Sequence, residues 1–481
     1  MAPTDENAEN SKRKPAKTTP ERLFTGVFIA IIGVTLCCYI TGQGLNAGTT
    51  VYIDRLGGSA TLAGIGAAVF SFAAIVGRLV SGPLADARGR LLVIASGAVI
   101  LLVGVLGQAI TANIDFIMVW RTLQGLGFSA VTTATATAAA DVLPVDRLGE
   151  GIGYYGLGQA LAMSVGPALA IALVSTDPPE NLFWGLSIAA AISLFLCVFC
   201  RYERNPEKLP ETSTYRTLAA YNREMQQEGQ PSEKLDNDTA DSMLTKAQNG
   251  SDIEGKPTKN RSGASTEGNA PTGKQGVWVR RFATIAEPGA LAGGIPMMIL
   301  SPAFGFGIFF VGLLGTQLGI GNAGIFYTIS AVSMIVVRLS SKAFMDRALP
   351  IRLFGLAVVS GLICFTMLLV VSLPFMGGLA QSALFYAAGI FYGLCLGISL
   401  PVNQTVAVKN SPAERWGAAN GLFMLLFDVG IGLASVMWGI TNDHFGFTFT
   451  IVCVLVLVAA SFLAALASYP SSAKRKQRSR S

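Results

Sequence analysis

One aspartate, Asp428, lies deep inside a long apolar run, where a carboxyl group is well placed to carry a proton. The run begins near Gly417, so an α-helix rising 1.5 Å per residue would place Asp428 about 16 Å from that end, near the middle of a bilayer. A carboxyl group is costly to ionise there, and a change in its surroundings would move its proton on or off. We therefore expect Asp428 to couple proton movement to another process. The alternative is a structural acid, hydrogen-bonded to nearby backbone or hydroxyl groups.

A stretch between the second and third apolar runs, Gly82-Pro-Leu-Ala-Asp86-Ala-Arg-Gly89-Arg90, combines glycines, an acid and arginines. A tight turn between two membrane helices would use Gly82 and Gly89 for unusual dihedral angles and close packing. Asp86 lies where its carboxylate would meet the positive N-terminus of the helix that begins near Gly417. The spacing thus predicts a charged contact between two distant parts of the chain.

We hypothesise that this turn acts as a gate, with Asp86 capping that helix in an outward-facing state. Arg90 would meet Asp141 at the end of the fourth apolar run. The simpler alternative is that Arg88 and Arg90 only fix the orientation in the bilayer. The residues of the predicted gate are Gly82, Asp86, Gly89, Arg90 and Asp141.

Other polar side chains within the apolar runs are candidates to line a cavity and bind a solute. Arg121 could bind an anionic group or tune a proton site, or its long side chain could extend to the outer surface of the bilayer. Polar side chains inside membrane bundles commonly hydrogen-bond between helices, which is the alternative for each of the others. The cavity candidates are Arg121, Gln124, Gln43, Asn46, Thr133, Thr137, Gln159 and Asn403.

The fifth apolar run carries several glycines, which leave one side of its predicted helix nearly smooth. Small residues let membrane helices approach closely and slide past one another. Gly166 and Pro167 follow these glycines, and we expect the helix to bend there. Plain close packing is the alternative.

The composition predicts the helices that must carry these residues through a bilayer. The chain has 481 residues, of which 51% are hydrophobic and 13% charged, far from the usual soluble mixture. Runs that cross about 30 Å of hydrocarbon must be α-helices here, because they lack the alternation of a membrane barrel. Twelve such runs occur, at about 23–43, 61–81, 91–112, 116–140, 152–174, 183–200, 289–314, 323–341, 353–375, 383–402, 417–441 and 447–468.

The distribution of positive charge predicts the orientation. With both termini in the cytoplasm, all but two of the 35 Lys and Arg fall on the cytoplasmic side, the exceptions being Arg55 and Arg121. We expect a multi-pass protein of the plasma membrane, namely a bacterial inner membrane, since residues 1–20 lack the apolar core of a secretory signal. The predicted parts are a cytoplasmic tail at 1–20, a six-helix bundle at 21–200, a disordered cytoplasmic connector at 201–287, a second six-helix bundle at 288–468 and a basic cytoplasmic tail at 469–481.

An internal repeat relates the two halves. Arg78-Leu-x-Ser leads to Asp86 just as Arg338-Leu-x-Ser leads to Asp346, at an offset of 260 residues. Pro144-x-x-Arg-x-Gly-x-x-x-Gly153 recurs as Pro412-x-x-Arg-x-Gly-x-x-x-Gly421, at an offset of 268. Repeated membrane halves place a binding site at their interface.

Over nearly its whole length, apart from the tails and the connector, the sequence resembles the major facilitator superfamily. The stretch from Gly77 to Arg90 is similar to the signature between the second and third helices of that superfamily. Arg121-Thr-Leu-Gln124-Gly-Leu-Gly is similar to a signature on helix four. A third signature, typical of proton-coupled exporters, matches at Gly153, Gly166 and Pro167, whereas Ala162, Ala170 and Ile171 stand where glycines are usual.

The resemblance implies an all-α membrane protein with twelve transmembrane helices in two pseudo-symmetric six-helix bundles, which rock about a central cavity. It implies a secondary active transporter of a small organic solute, working by alternating access as a proton-coupled efflux antiporter. A proton-coupled importer of sugars or other metabolites is one alternative, and a non-transporting membrane sensor on the same fold is another. We expect a monomer whose partners are the solute, protons and the lipid bilayer, and not nucleic acid.

An enzyme or an ATP-driven pump is not expected. The sequence contains no cluster of nucleophile, base and metal ligands and no Gly-x-x-x-x-Gly-Lys-Ser/Thr loop. Its seven cysteines lie in apolar runs, where Cys is ordinarily a small buried hydrophobe, and Cys197-x-x-Cys200 has no second pair or histidine near it. We therefore expect no cofactor and no metal.

Overall fold

The computed structural model describes residues 22–111, 113–144, 147–210, 212–213, 215–217, 287–345, 349–374, 377–412 and 416–469. Within these ranges the regular structure is helical, apart from one isolated β-bridge between Pro144 and Ser213. The prediction of an all-α membrane protein is confirmed. Both predicted terminal tails lie outside the described residues, except for positions at their boundaries.

The first half of the chain forms six helices, because each apolar run can satisfy its backbone groups only within itself. Thr25 caps the first helix, where its hydroxyl accepts a hydrogen bond from the amide of Phe28 (3.2 Å), and Ser59 caps the second in the same way at Leu62 (3.1 Å). The helices are α1 (Gly26–Arg55), α2 (Ala60–Arg88), α3 (Arg90–Thr111), α4 (Ile114–Val142), α5 (Leu148–Val174) and α6 (Asn181–Leu196).

The second half begins with a 3-10 turn at Pro288–Ala290 and continues through α7 (Leu291–Phe309), α8 (Val311–Gln317), α9 (Gly324–Met345), α10 (Pro350–Val371), α11 (Gly378–Lys409) and α12 (Trp416–Ser468). The break between α7 and α8 is held by the Tyr327 hydroxyl, which accepts from the amide of Gly312 (3.1 Å) and donates to the carbonyl of Gly307 (2.9 Å). Gly446, at φ 76°, divides α12 into two helical parts. A positive φ of this kind is cheap for glycine alone.

Each of the twelve predicted apolar runs falls mainly within helix in the described part of the chain, and the seventh run is divided at Phe310 between α7 and α8. In the described part of the chain, nine helices are long and apolar enough to cross a bilayer, and one of them, Ala419–Ser468, holds the last two predicted runs. The fourth and eighth predicted runs lie in α4 and α9, which are not among these nine helices. The order of the helices thus follows the order of the runs.

The predicted tight turn from Gly82 to Arg90 is shorter than expected. Gly82 lies inside α2, which continues to Arg88, and only Gly89 leaves the helical conformation, at φ 98° and ψ 149°. The turn is therefore a single residue, and the expectation of unusual dihedral angles holds for Gly89 and is wrong for Gly82. The helix also passes through Pro83.

The packed part of the chain extends beyond residue 200, where the connector was predicted to begin. Two 3-10 turns, Tyr202–Arg204 and Pro206–Lys208, follow α6, and the side chains of Tyr202 and Leu209 are buried. Residues 218–286 lie outside the described residues, so the predicted disorder of the connector remains a prediction.

Two faces of the helix bundle can be defined from its helix ends. We call the face where α1 begins and α12 ends the tail face, and the opposite face the far face. At the far face, consecutive helices are joined by short segments, of which the longest, 175–180, 318–323 and 372–377, have six residues each. The shortest far-face connection is the single residue Gly446, which divides α12.

Candidate functional site

The two halves meet mainly along two helix pairs, α2 with α12 and α5 with α9, and α1 makes smaller contacts with α7 and α8. On the far side of the first pair, glycines let the backbones touch. A Cβ added at Gly64 would overlap the carbonyl oxygen of Ser435, and one added at Gly439 would overlap that of Ala60. Such contact between backbones requires residues without side chains. The halves are therefore tightly closed at the far face.

This contact ends before the tail face is reached. A Cβ added at Gly82, Gly153 or Gly421 would meet no atom of the described residues within 4 Å. These three glycines lie near the tail-face ends of α2, α5 and α12. Among the described residues, the interface between the halves is thus closed at the far face and opens toward the tail face.

An ion pair crosses between the halves where the close contact ends. Nε of Arg78 on α2 lies 3.1 Å from Oδ2 of Asp428 on α12, and the two side chains are 28% and 20% exposed. No ionic partner was predicted for Asp428 from the sequence, and the structure places Arg78 of the other half beside it. Its position between the halves is compatible with the predicted proton carrier, a role that stays a prediction.

The repeat-related arginine, Arg338, also reaches the opposite half. Its Nη1 donates a hydrogen bond to the carbonyl oxygen of Gly156 on α5, at 3.0 Å. The offset of 268 residues that aligns Gly421 with Gly153 places Ala160 at the position equivalent to Asp428. The carboxylate therefore occurs in one half only, which makes the two arginine contacts chemically unequal.

Four of the predicted cavity residues are half-buried on helices of the first half. Nε2 of Gln159 donates to the hydroxyl of Tyr39 at 3.3 Å, and Tyr39 packs edge-on against Phe128 at 5.2 Å between ring centroids. On α4, the Thr137 hydroxyl donates to the carbonyl of Thr133 within the same helix, at 3.3 Å. Half-buried positions of this kind are held by Gln43, Thr133, Thr137 and Gln159.

Three other cavity candidates instead form a network buried within the first half. Arg121 is 1% exposed, and its three nitrogens donate to the carbonyl of Gly66 (3.1 Å), Oε1 of Gln124 (3.4 Å) and Oδ1 of Asn46 (2.7 Å). Its guanidinium lies 4.5 Å from the ring centroid of Phe70. A buried guanidinium needs oxygen partners, and the Gly66 carbonyl and the side chains of Gln124 and Asn46 supply them. The expectation that Arg121, Gln124 and Asn46 line a cavity is therefore wrong.

Asn403 and the Gly166-Pro167 pair likewise serve packing in the structure. Asn403 is fully buried, donates to the carbonyl of Ser399 (2.9 Å) and accepts from the hydroxyl of Tyr469 (3.0 Å), so it joins α11 to the end of α12.

Helix α5 runs unbroken through Pro167, and a Cβ at Gly166 would overlap the carbonyl of Ile40 on α1. Gly166 therefore allows close approach of α1, and the bend predicted there remains a prediction.

The predicted contact between Arg90 and Asp141 is present, at 3.0 Å between Nε and Oδ2. The Tyr202 hydroxyl donates to the same carboxylate oxygen at 3.1 Å, and the Glu203 carboxylate accepts from the amide of Arg90 at the start of α3. All of these residues belong to the first half, so the pair fixes the turn within one bundle and does not itself cross between bundles. The side chain of Asp86 and residues 413–415, before α12, lie outside the described residues, so its cap stays a prediction.

Several contacts between the halves have no signal in the sequence. At the far face, Asp443 on α12 accepts hydrogen bonds from the amides of Ala60 (2.9 Å) and Thr61 (2.7 Å) on α2. Nearby, Nε2 of Gln317 donates to Oδ1 of Asp54 at 2.9 Å, which joins α8 to α1. These residues lie near the ends of apolar runs, where polar side chains are ordinary, and only the assembled fold shows that they cross the interface.

Comparison with known proteins gives a family and a fold. A model of the Major Facilitator Superfamily matches residues 23–435 and 362–481. The chain is 22% identical over 454 residues to the staphylopine export protein of Staphylococcus aureus (strain Mu50 / ATCC 700699), covering 92% of this chain and 98% of that one. A shorter match, 27% identical over 113 residues, covers 24% of this chain and 22% of citrate exporter 1 of Aspergillus niger. The crystal structure of nucleoside transporter NupG shares the fold, with a TM-score of 0.60 at 14% identity over 92% of this chain and 98% of that one.

Proposed function

The chain belongs to the Major Facilitator Superfamily, and from that premise we propose that it exports a small organic solute in exchange for protons, by alternating access. It is a multi-pass membrane transporter, and relatives that are named exporters support the outward direction. We further propose that the tail face is cytoplasmic and the membrane is the plasma membrane, since almost all Lys and Arg lie on that side. The protein would then stand open to the cytoplasm.

The observation that carries this proposal is the ion pair at the end of the contact between the halves. Far-side glycines bring α2 and α12 into backbone contact, and Arg78 and Asp428 close that contact near the middle of the bilayer. A proton on Asp428 would remove the charge that holds Arg78. The halves would then separate more easily at the far face, so proton binding and the change of access become linked.

The pair also suggests how solute and proton exclude each other. Arg78 and Asp428 lie where the closed contact ends and the gap toward the tail face begins, with Tyr39 of the first half near both. A neutral or cationic solute that binds Asp428 from this gap would compete with a proton for the same carboxylate. Competition of this kind gives exchange, because the carrier moves one occupant at a time.

The test measures uptake into everted membrane vesicles from cells that produce the protein. A panel of radiolabelled neutral and cationic organic solutes is offered with and without an inside-acid pH gradient, and citrate is included as an anion because one relative is named for its export. Proton-coupled export predicts uptake that disappears when a protonophore collapses the gradient. Uptake only into right-side-out vesicles would make the protein an importer, and uptake indifferent to the gradient would refute proton coupling.

Asp428→Asn tests the role of the carboxylate in the same vesicles. We expect it to remove gradient-driven uptake while the protein still reaches the membrane, because asparagine keeps the shape of the side chain and cannot ionise. The matched control is Asp177→Asn, since Asp177 is a far-face carboxylate with a 95% exposed side chain that pairs with Arg55 in its own half. Full coupling in Asp428→Asn would exclude this residue as the proton carrier.

A further inference from the structure

The N-terminus of α2 is capped by a carboxylate from the other half of the molecule. Oδ1 of Asp443 accepts from the amide of Ala60 at 2.9 Å, and Oδ2 accepts from the amide of Thr61 at 2.7 Å. Each oxygen thus binds one of the first two amides of the helix, and these amides have no partner within the helix. Hydrogen bonds from helix N-termini to a carboxylate are charge-assisted, and the helix dipole adds to them.

This cap lies beside the tightest contact between the halves. One turn before Asp443, Gly439 lies against the carbonyl of Ala60, and Gly64 lies against that of Ser435. Asp443 is carried by α12 and its two amide partners by α2. The cap can therefore exist only while the far face is closed, because opening that face moves α2 and α12 apart.

A second aspartate has the reciprocal position on the partner helix. The two helices are antiparallel across the bilayer, since α2 runs from the far face to the tail face and α12 starts at the tail face. Asp443 lies 27 residues after Trp416, where α12 begins, and Asp86 lies 26 residues after Ala60, where α2 begins. Asp86 thus lies two residues before the end of α2, and Asp443 lies three residues before Gly446, where the first part of α12 ends.

We propose that Asp443 is a far-face latch, the counterpart of the cap that the sequence predicts for Asp86 at the tail face. Asp443 holds α2 when the far face is closed, and Asp86 holds α12 when the tail face is closed. The two carboxylates bias the same equilibrium in opposite directions. This inference rests on the alternating access of the proposed function, and it needs neither export nor proton coupling.

The test follows opening of the far face with a cysteine at Ser71, which is 8% exposed and lies against Gly432 on α12. A membrane-impermeant maleimide added from the far side labels Ser71→Cys only when that face opens, and labelling of the parent with its seven native cysteines is subtracted. In this background, Asp443→Ala should raise the labelling rate about fivefold or more, since loss of a helix cap shifts an equilibrium by that order. Asp443→Glu should stay near the parent.

Asp86→Ala should change labelling in the opposite direction, because it removes the competing cap, and the double variant should return toward the parent. Asp177→Ala, which removes a far-face carboxylate bonded within its own half, should change nothing. Melting temperatures of all variants show whether a change in labelling reflects unfolding. Unfolding would lower the melting temperature of Asp443→Ala, and it would raise the labelling of Ser71→Cys and of the native cysteines alike.

Unchanged labelling in Asp443→Ala would overturn the latch. Equal changes of the same sign in Asp443→Ala and Asp86→Ala would overturn the reciprocal relationship. The labelling uses no solute and no pH gradient, so a vesicle experiment that refutes export or proton coupling leaves these outcomes readable.

Discussion

Arg78 on α2 and Asp428 on α12 form an ion pair between the two halves, with 3.1 Å between Nε and Oδ2. The pair is flanked by closed backbone contact on the far side, and on the tail side Gly82 and Gly421 meet no described atom within 4 Å of an added Cβ. It is thus the point about which the two halves would part or close.

Removing Arg78 should destabilise the protein because it leaves a poorly solvated carboxylate without its cation. The loss for Arg78→Ala should lie at the lower end of the roughly 3–5 kcal/mol that breaking a buried pair costs, since both side chains retain some contact with solvent. Arg78→Gln with Asp428→Asn should recover most of that loss, as two neutral side chains can hydrogen-bond. Thermal unfolding in detergent measures the stability of each variant. If the double variant loses as much stability as the two single variants lose together, the pair is not coupled.

Arg121 should act on folding and not on solute binding. Arg121→Ala leaves Asn46 and Gln124 with unsatisfied groups in a buried site, which should cost about 3 kcal/mol or more. We expect little folded protein in the membrane and a lowered melting temperature. Arg121→Lys should also be impaired, because an ammonium group lacks the planar fork that reaches three separate oxygens. Normal melting with loss of transport in Arg121→Ala would return this residue to the solute pathway.

A side chain at Gly64 should prevent closure of the far face. Gly64→Val would place a branched side chain against the carbonyl of Ser435, at an overpacking cost of about 1–3 kcal/mol. We expect faster maleimide labelling of Ser71→Cys and slower transport. Gly421→Val is the matched control, since a Cβ there meets no described atom within 4 Å. Equal effects of the two substitutions would show that the far-side contact has no special role.

Tyr202 and Asp141 should be energetically coupled through their hydrogen bond. Tyr202→Phe keeps the buried ring and removes the hydroxyl, which should cost about 1 kcal/mol. In a double-mutant cycle with Asp141→Asn, the second substitution should cost less once the first is present. The measurement is the midpoint of thermal unfolding, and strictly additive losses would contradict the coupling.

The sequence predicted the helices well because each apolar run must satisfy its own backbone in lipid. The contact between Arg90 and Asp141, hypothesised from the charges of the motif, is also present. The partner of Asp428 was missed for a definite reason. The predicted run 61–81 placed Arg78 near a membrane surface, whereas α2 continues to Arg88 and carries Arg78 deeper.

Polar residues inside the runs were harder to interpret. Asn46, Arg121 and Gln124 were predicted to face a cavity, yet they bind one another. The signal was present in the chemistry, because an arginine in an apolar run requires several oxygen partners and two amide side chains were at hand. Asp443 offered no such signal, since an acid at the end of a helix is ordinary until the fold shows which amides it meets.

The short far-face segments have a practical consequence for anyone who approaches the protein from that side. With connections of six residues at most, and a single glycine between the last two membrane crossings, an antibody or an added protease would find almost no epitope or cleavage site there. An affinity tag or a fluorescent fusion inserted into these segments would strain the helices on both sides. Purification handles and conformation-specific binders should therefore be directed to the tail face.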